Sequence, residues 1–255
     1  MTSKELKLNE TYFGFKFISK EYVEEIKSTA LIFEHLKTKA KILKLQNNET
    51  ENSFSISFKT PSTDSTGMQH IMEHSVLNGS KKYPLRDPFA TLAKSTINSF
   101  LNAFTWKDKT AYAFSSSNKK DFFKLLDVYL DAVFNPKAIE NKKIFLQEGW
   151  RYTLDENNKL KYDGIVYNEM KGVYSSVNNL IEEYTLSNLF PETEYSFDSG
   201  GNPKEIPNLT YESFIAYYKK HYHPTNSKVY FYGNNDILEE LKFLEENFFF
   251  KLFLF

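Results

Sequence analysis

Ser53-Phe54-Ser55-Ile56-Ser57-Phe58-Lys59 alternates polar and apolar residues without a break, the period-2 signature of a strand with one face buried. Ala40 to Leu45 precedes it, and Asn47-Asn48-Glu49 to Asn52 lies between. The two segments are therefore expected to pair as an antiparallel hairpin. Downstream the period changes. Phe122, Leu125, Leu126, Tyr129, Leu130, Val133 and Phe134 fall at helical spacing between Asp121 and Phe134, and Asn135-Pro136 ends that helix, with Pro136 suited to the first turn of the next.

Trp150 to Leu154 and Leu160 to Tyr162 form a second expected hairpin around Glu156-Asn157-Asn158, with a helix from about Val166 to Ser175 after it. Ser199-Gly200-Gly201-Asn202-Pro203 reads as a loop. Thr210 is placed to cap a helix carrying Phe214, Tyr217 and Tyr218, and Val229-Tyr230-Phe231-Tyr232 reads as a buried strand stopped by Gly233. Strand pairs and helices interleave without a regular β-α-β rhythm. The expected class is α+β, a mixed, largely antiparallel sheet with helices packed on one face. No repeat or linker divides the chain, so residues 1–245 are expected to form a single domain. The remainder, 246–255, ends in Phe248-Phe249-Phe250-Lys251-Leu252-Phe253-Leu254-Phe255. Such an apolar end is expected of a truncated or frame-shifted reading of something longer.

The 255 residues carry 32 Lys+Arg against 33 Asp+Glu, a formal charge of -1. That balance gives no electrostatic reason to expect nucleic acid or an anionic membrane as partner. With 41% hydrophobic residues, 24 Phe and 17 Tyr, the chain is a globular one with an aromatic-rich core. Cysteine is absent, which excludes disulfides, thiolate-metal sites and a cysteine nucleophile. Met1-Thr2-Ser3-Lys4-Glu5-Leu6 lacks the long apolar segment of a signal peptide. A cytoplasmic location is expected ahead of a periplasmic one.

The chemistry concentrates in Gln69-His70-Ile71-Met72-Glu73-His74. On a helix, His70 and His74 share a face one turn apart, and Glu73 lies beside them. Two imidazoles so placed can hold one zinc and leave the carboxylate to act as a base. Spacing alone does not separate this from a pair of solvated helix histidines. A catalytic zinc wants a third protein ligand. Glu148, Glu169, Glu182 and Glu183 are carboxylates on expected helices, and periodicity does not rank them. His221 and His223 are read as a helix C-terminal cation and a loop residue before Pro224, and His35 as a structural residue without a partner.

Longer segments carry a resemblance. Ser65 to Phe89 (STGMQHIMEHSVLNGSKKYPLRDPF), Asn98 to Tyr112 (NSFLNAFTWKDKTAY), Tyr162 to Ser176, Ser199 to Phe214 and His221 to Asp236 together resemble the pitrilysin-type (inverzincin, M16) zinc metallopeptidases, in particular the presequence protease and falcilysin branch. The likeness runs from about Thr11 to about Glu245. It implies that His70, His74 and Glu169, the last within Asn168-Glu169-Met170-Lys171-Gly172, bind one Zn2+, and that Glu73 is the catalytic base. It also implies that Asn102-Ala103-Phe104-Thr105 lies on an edge strand, where Asn102, Ala103 and Phe104 pair with a substrate peptide through main-chain hydrogen bonds. Phe104 has core packing as its alternative, and Trp106 is expected in the core.

Members of the branch are long, two-halved chains that close around an unfolded peptide, and the likeness covers only the first domain of the first half. The implied function is zinc-dependent endopeptidase cleavage of short or unfolded peptides, weak or absent in this chain alone. The implied partners are a peptide substrate and either C-terminal domains or a second M16-like chain, with self-association through the exposed domain face. A non-catalytic peptide-binding or assembly subunit is the alternative from another class.

Overall fold

The alternating stretch over 53–59 becomes a strand, one of five that occupy most of the first sixty residues. The computed structural model describes residues 6–85 and 88–249. Five strands come first: β1 (Thr11–Tyr12), β2 (Phe15–Val23), β3 (Ser28–His35), β4 (Lys41–Gln46) and β5 (Asn52–Lys59). They are followed by α1 (Met68–Val76), α2 (Pro88–Ser95), β6 (Asn98–Thr105), β7 (Lys109–Ser116), α3 (Lys119–Phe134) and α4 (Lys142–Glu148). A small hairpin, β8 (Arg151–Leu154) and β9 (Leu160–Asp163), leads to α5 (Ile165–Val173) and α6 (Val177–Leu189). The last elements are α7 (Tyr211–His221), β10 (Ser227–Gly233), α8 (Ile237–Leu244) and a π-helical turn at Glu245–Phe249. No helix among the described residues is long and apolar enough to cross a membrane.

The main sheet has eight strands in the order β1-β2-β3-β4-β10-β5-β7-β6. Only β4–β10 is parallel; its other pairs are antiparallel. One register row crosses seven strands through Phe17, Phe33, Ile42, Val229, Ile56, Tyr112 and Ala103. All but Ala103 are buried, so strand alternation sends a continuous apolar row toward the helices. Helices α1 and α3 cover this face over β5, β6 and β7. The opposite face keeps Ser55, Ser57, Lys228 and Tyr230 beside an open shallow groove. The fold is the expected α+β with a mixed, largely antiparallel sheet.

The expected hairpin of residues 40–45 with 53–59 is not formed. β10 lies between them, parallel to β4 and antiparallel to β5. β10 buries Val229 and Phe231 on the core face and leaves Tyr230 and Tyr232 half-buried on the other, so its apolar run does not reveal which strands it pairs with. The residues read as a hairpin turn hold the end of β10 instead: Asn234 N–H donates to Glu49 O at 3.0 Å, and Asn235 N–H to Asn52 Oδ1 at 2.8 Å. The second hairpin, β8–β9, forms as expected, and Thr210 caps α7 by accepting from Ser213 N–H.

One further expectation, that for His35, changes. Of the apolar stretch over 246–255, Phe248 and Phe249 are buried against Phe134, and Phe249 also meets Phe15 and His35. Residues 250–255 lie outside the described residues, as do the Met1–Glu5 stretch read for a signal peptide and Arg86-Asp87 of the quoted likeness. His35 does have partners. Thr38 N–H donates to its Nδ1 at 3.2 Å, and the Glu245 carboxylate lies 3.0 Å from its Nε2.

Burial, together with Lys37 and Lys39, pushes His35 from 6.5 down to about 4. The folded ring is thus neutral where the unfolded one takes up a proton. The stability His35 contributes is full above pH 6.5 and lost as pH falls toward 4. Burial also raises Glu245, an effect of opposite sign. The stability difference between the unaltered protein and His35→Phe, from urea unfolding, is expected to shrink across that window. A constant difference would contradict it.

Candidate metal and active site

α1 begins where two loops touch. Gly67, at its N-cap, has φ +69, and a Cβ there would sit 2.6 Å from Gly200 O and 3.0 Å from Gly201 Cα. Only glycine permits both the left-handed backbone and this approach. Asp198 braces the opposing loop: Oδ1 accepts from the Gly200 N–H at 2.9 Å, and Oδ2 from the Tyr174 hydroxyl at 2.7 Å. The result places Gly200 O 3.1 Å from His70 Nδ1. Because a carbonyl only accepts, His70 carries its proton on Nδ1 and leaves the Nε2 lone pair free. Gly67→Ala is expected to cost about 1–3 kcal/mol through the strained φ and the clash with Gly200, read as a lower urea midpoint.

The buried residues of α1, Met68, Gln69, Ile71, Met72, Ser75 and Val76, face the core, which turns His70, Glu73 and His74 to the other side. The two imidazoles meet edge to face with centroids 4.8 Å apart. α5 brings Glu169 opposite them: Oε1 is 3.7 Å from His70 Nε2, and Oε2 is 3.8 Å from His74 Nε2. One ligand atom from each of the three residues lies within 4.8 Å of the others. Donors of a tetrahedral zinc with bonds near 2.0–2.1 Å stand roughly 3.3 Å apart, so the set is close to the required size. Glu169 is half exposed and His70 nearly buried, leaving one side open to solvent.

Glu73 reaches the adjoining strand, where Thr105 Oγ1 donates to its Oε2 at 2.6 Å. On the far side of His74, Glu148 Oε2 lies 3.4 Å from Nδ1. Burial disfavours a charged His74, but Glu148, with Glu73 and Glu169, outweighs it and raises the imidazole above its ordinary value.

Thr105 ends β6, the edge of the sheet beyond β7. Asn102 and Phe104 alternate along β6 with Ala103, and Leu101 and Ala103 pack on the core. Phe104 stacks between Phe100 and Trp106. Trp106 is 43% exposed, not in the core as expected. It follows the last β6 residue on the Phe104 face, where Lys109 Nζ sits 4.9 Å from its ring centroid.

The remaining candidates stand elsewhere. Glu183 on α6 bonds Lys107 Nζ at 2.6 Å, and Glu182 is exposed. His221, at the end of α7, bonds Lys59 O through Nδ1 at 3.1 Å. His223 caps the Pro224–Asn226 turn by accepting from Thr225 N–H.

The sequence model described as Insulinase (Peptidase family M16) matches residues 60–195. The chain belongs to peptidase family M16. A second model, described as the Peptidase M16 inactive domain, matches residues 208–252. Protein HypA of Clostridium perfringens is 49% identical over 243 residues, covering 95% of this chain and 25% of that protein. Presequence protease 1 of Arabidopsis thaliana is 47% identical over 234 residues, covering 91% of this chain and 22% of that protein. The crystal structure of pitrilysin superposes with a TM-score of 0.70 at 19% identity, over 92% of this chain and 24% of that one. This M16 chain therefore spans about a quarter of the length of the curated relatives it matches.

Within the M16 match lie α1, β6, α4 and α5, the four elements that surround the site. Sequence reasoning placed Thr105 on the edge strand but not against Glu73, and it missed Gly200 as a group bonded to the site. For Thr105 the signal was its place at the end of the Asn102-Ala103-Phe104-Thr105 motif. For Gly200 O there was none, because a backbone carbonyl has no residue type to read.

Proposed function

We propose that the chain carries the zinc centre of an endopeptidase that hydrolyses short or unfolded peptides. The observation that carries this reading is the convergence of His70 Nε2, His74 Nε2 and the Glu169 carboxylate. Two imidazoles and a carboxylate, with one side open, are a donor set that suits catalytic zinc. Zinc bound there would supply a Lewis acid that lowers the pKa of water and polarises a peptide carbonyl.

The chain's own groups do the rest. Thr105 occupies one oxygen of Glu73, leaving the other to take a proton from water and return it to the leaving amine. An extended peptide adds to the β6 edge at Asn102, Ala103 and Phe104 through its main chain, so sequence preference is weak. Further domains, or a second M16-like chain, complete the chamber, and the isolated chain is weak or inactive. Exposed Tyr152, Leu154 and Leu160 on β8–β9 and Val177, Ile181 and Tyr184 on α6 support such covering.

Metal analysis of the purified chain tests the centre, together with cleavage of an internally quenched peptide with and without candidate partner chains. One zinc per chain and chelator-sensitive cleavage in the completed assembly are expected. A protein that takes up no zinc when supplied with it would overturn the reading.

A further inference from the structure

Glu148 is one of the four carboxylates that periodicity does not rank as a third ligand. It lies on the wrong side of His74 to join the metal set, since Glu169 faces Nε2, whereas Glu148 Oε2 faces Nδ1 at 3.4 Å. Glu148 is 3% exposed at the end of α4. A carboxylate so buried needs compensating donors. Its Oε1 has two, Asn78 Nδ2 and Gln147 Nε2. Oε2 is thereby left for the imidazole.

We propose that Glu148 is the positioning residue of His74: it fixes the proton on Nδ1, presents the Nε2 lone pair toward Glu169, and strengthens the imidazole as a metal ligand. The proposal rests on the zinc reading above. It makes the two histidines unequal. His70 is backed by the neutral carbonyl of Gly200, His74 by a buried carboxylate. A carboxylate behind a ligating imidazole orients the ring and raises its basicity, and its loss typically weakens metal affinity by 10–100-fold.

Glu148→Gln separates this role from a merely structural one. Glutamine keeps an oxygen to accept from Asn78 and Gln147 and keeps the volume, but it turns an amide N–H toward Nδ1 and removes the charge. Zinc affinity, measured by competition with a chromogenic chelator, is expected to fall about 10–100-fold with the thermal midpoint little changed. Nitrogen-15 shifts of the zinc-loaded unaltered chain are expected to show His74 protonated at Nδ1. That second measurement decides the matter if the variant does not fold. Unchanged zinc affinity in folded Glu148→Gln, or ligation of His74 through Nδ1, overturns the proposal while leaving the zinc centre intact. Failure of the unaltered chain to bind zinc overturns both.

Discussion

Glu73→Gln is expected to lower peptide hydrolysis by about 10²–10⁴-fold in the assembly that turns peptide over, without loss of bound zinc. Glutamine retains the oxygen that accepts the Thr105 hydroxyl at 2.6 Å, so the side chain stays in place. What it loses is the basicity needed to take a proton from water. Because Glu73 is not among the three converging donors, zinc stoichiometry should remain one per chain. Quenched-peptide kinetics and metal analysis on the same preparation give the two readings. Substantial cleavage by the variant would remove Glu73 from the role of base; loss of zinc would instead make it a ligand.

The second large effect concerns stability. Lys44 sits on the core face of β4, level with Leu31 and Phe231 on its neighbours, and is fully buried. Its Nζ bonds Glu240 Oε1 of α8 at 2.9 Å, and Glu240 is likewise fully buried. Burial disfavours both charges, pushing Glu240 up and Lys44 down; their mutual attraction offsets that penalty. Lys44→Met, which leaves Glu240 buried alone, is expected to cost about 3–5 kcal/mol. The double replacement Lys44→Met with Glu240→Leu is expected to recover that loss. Urea unfolding of the two variants checks both values. Equal destabilisation by the single and double variants would show that the pair is not the cause.

Lys44 also marks where sequence reading ends. Phe54, Ile56 and Phe58 announce a strand face through strict alternation, and Phe122 to Phe134 a helix through its period. Both were legible because local burial dictates local pattern. A lysine at an inward position breaks the pattern, and its partner is 196 residues away. The position of β10 was hidden for the same reason: Val229 to Tyr232 reads as a buried strand, but nothing local says which neighbours it takes. At the site, helical spacing put His70, Glu73 and His74 on one side of a helix but did not separate a metal site from solvated histidines. Glu169 required the wider likeness, because a carboxylate on one helix looks like a carboxylate on any other. Gly200 O and the Nδ1-side placement of Glu148 follow from tertiary packing alone.

The central position of β10 has a consequence for how the chain acquires its structure. β1 to β4 and β5 to β7 are two blocks of the main sheet, joined among the described residues only through strand pairing with 227–233. During synthesis both blocks emerge long before the strand that unites them. Until then β4 and β5 each present an unpaired edge with Ile42 or Ile56 in its row, the kind of surface that recruits other chains. Closure must also bring together segments about 180 residues apart, since Val229 pairs with Ile42 and Ile56, which slows folding. Chaperone dependence is therefore expected to be greatest for nascent chains that stop short of Ser227.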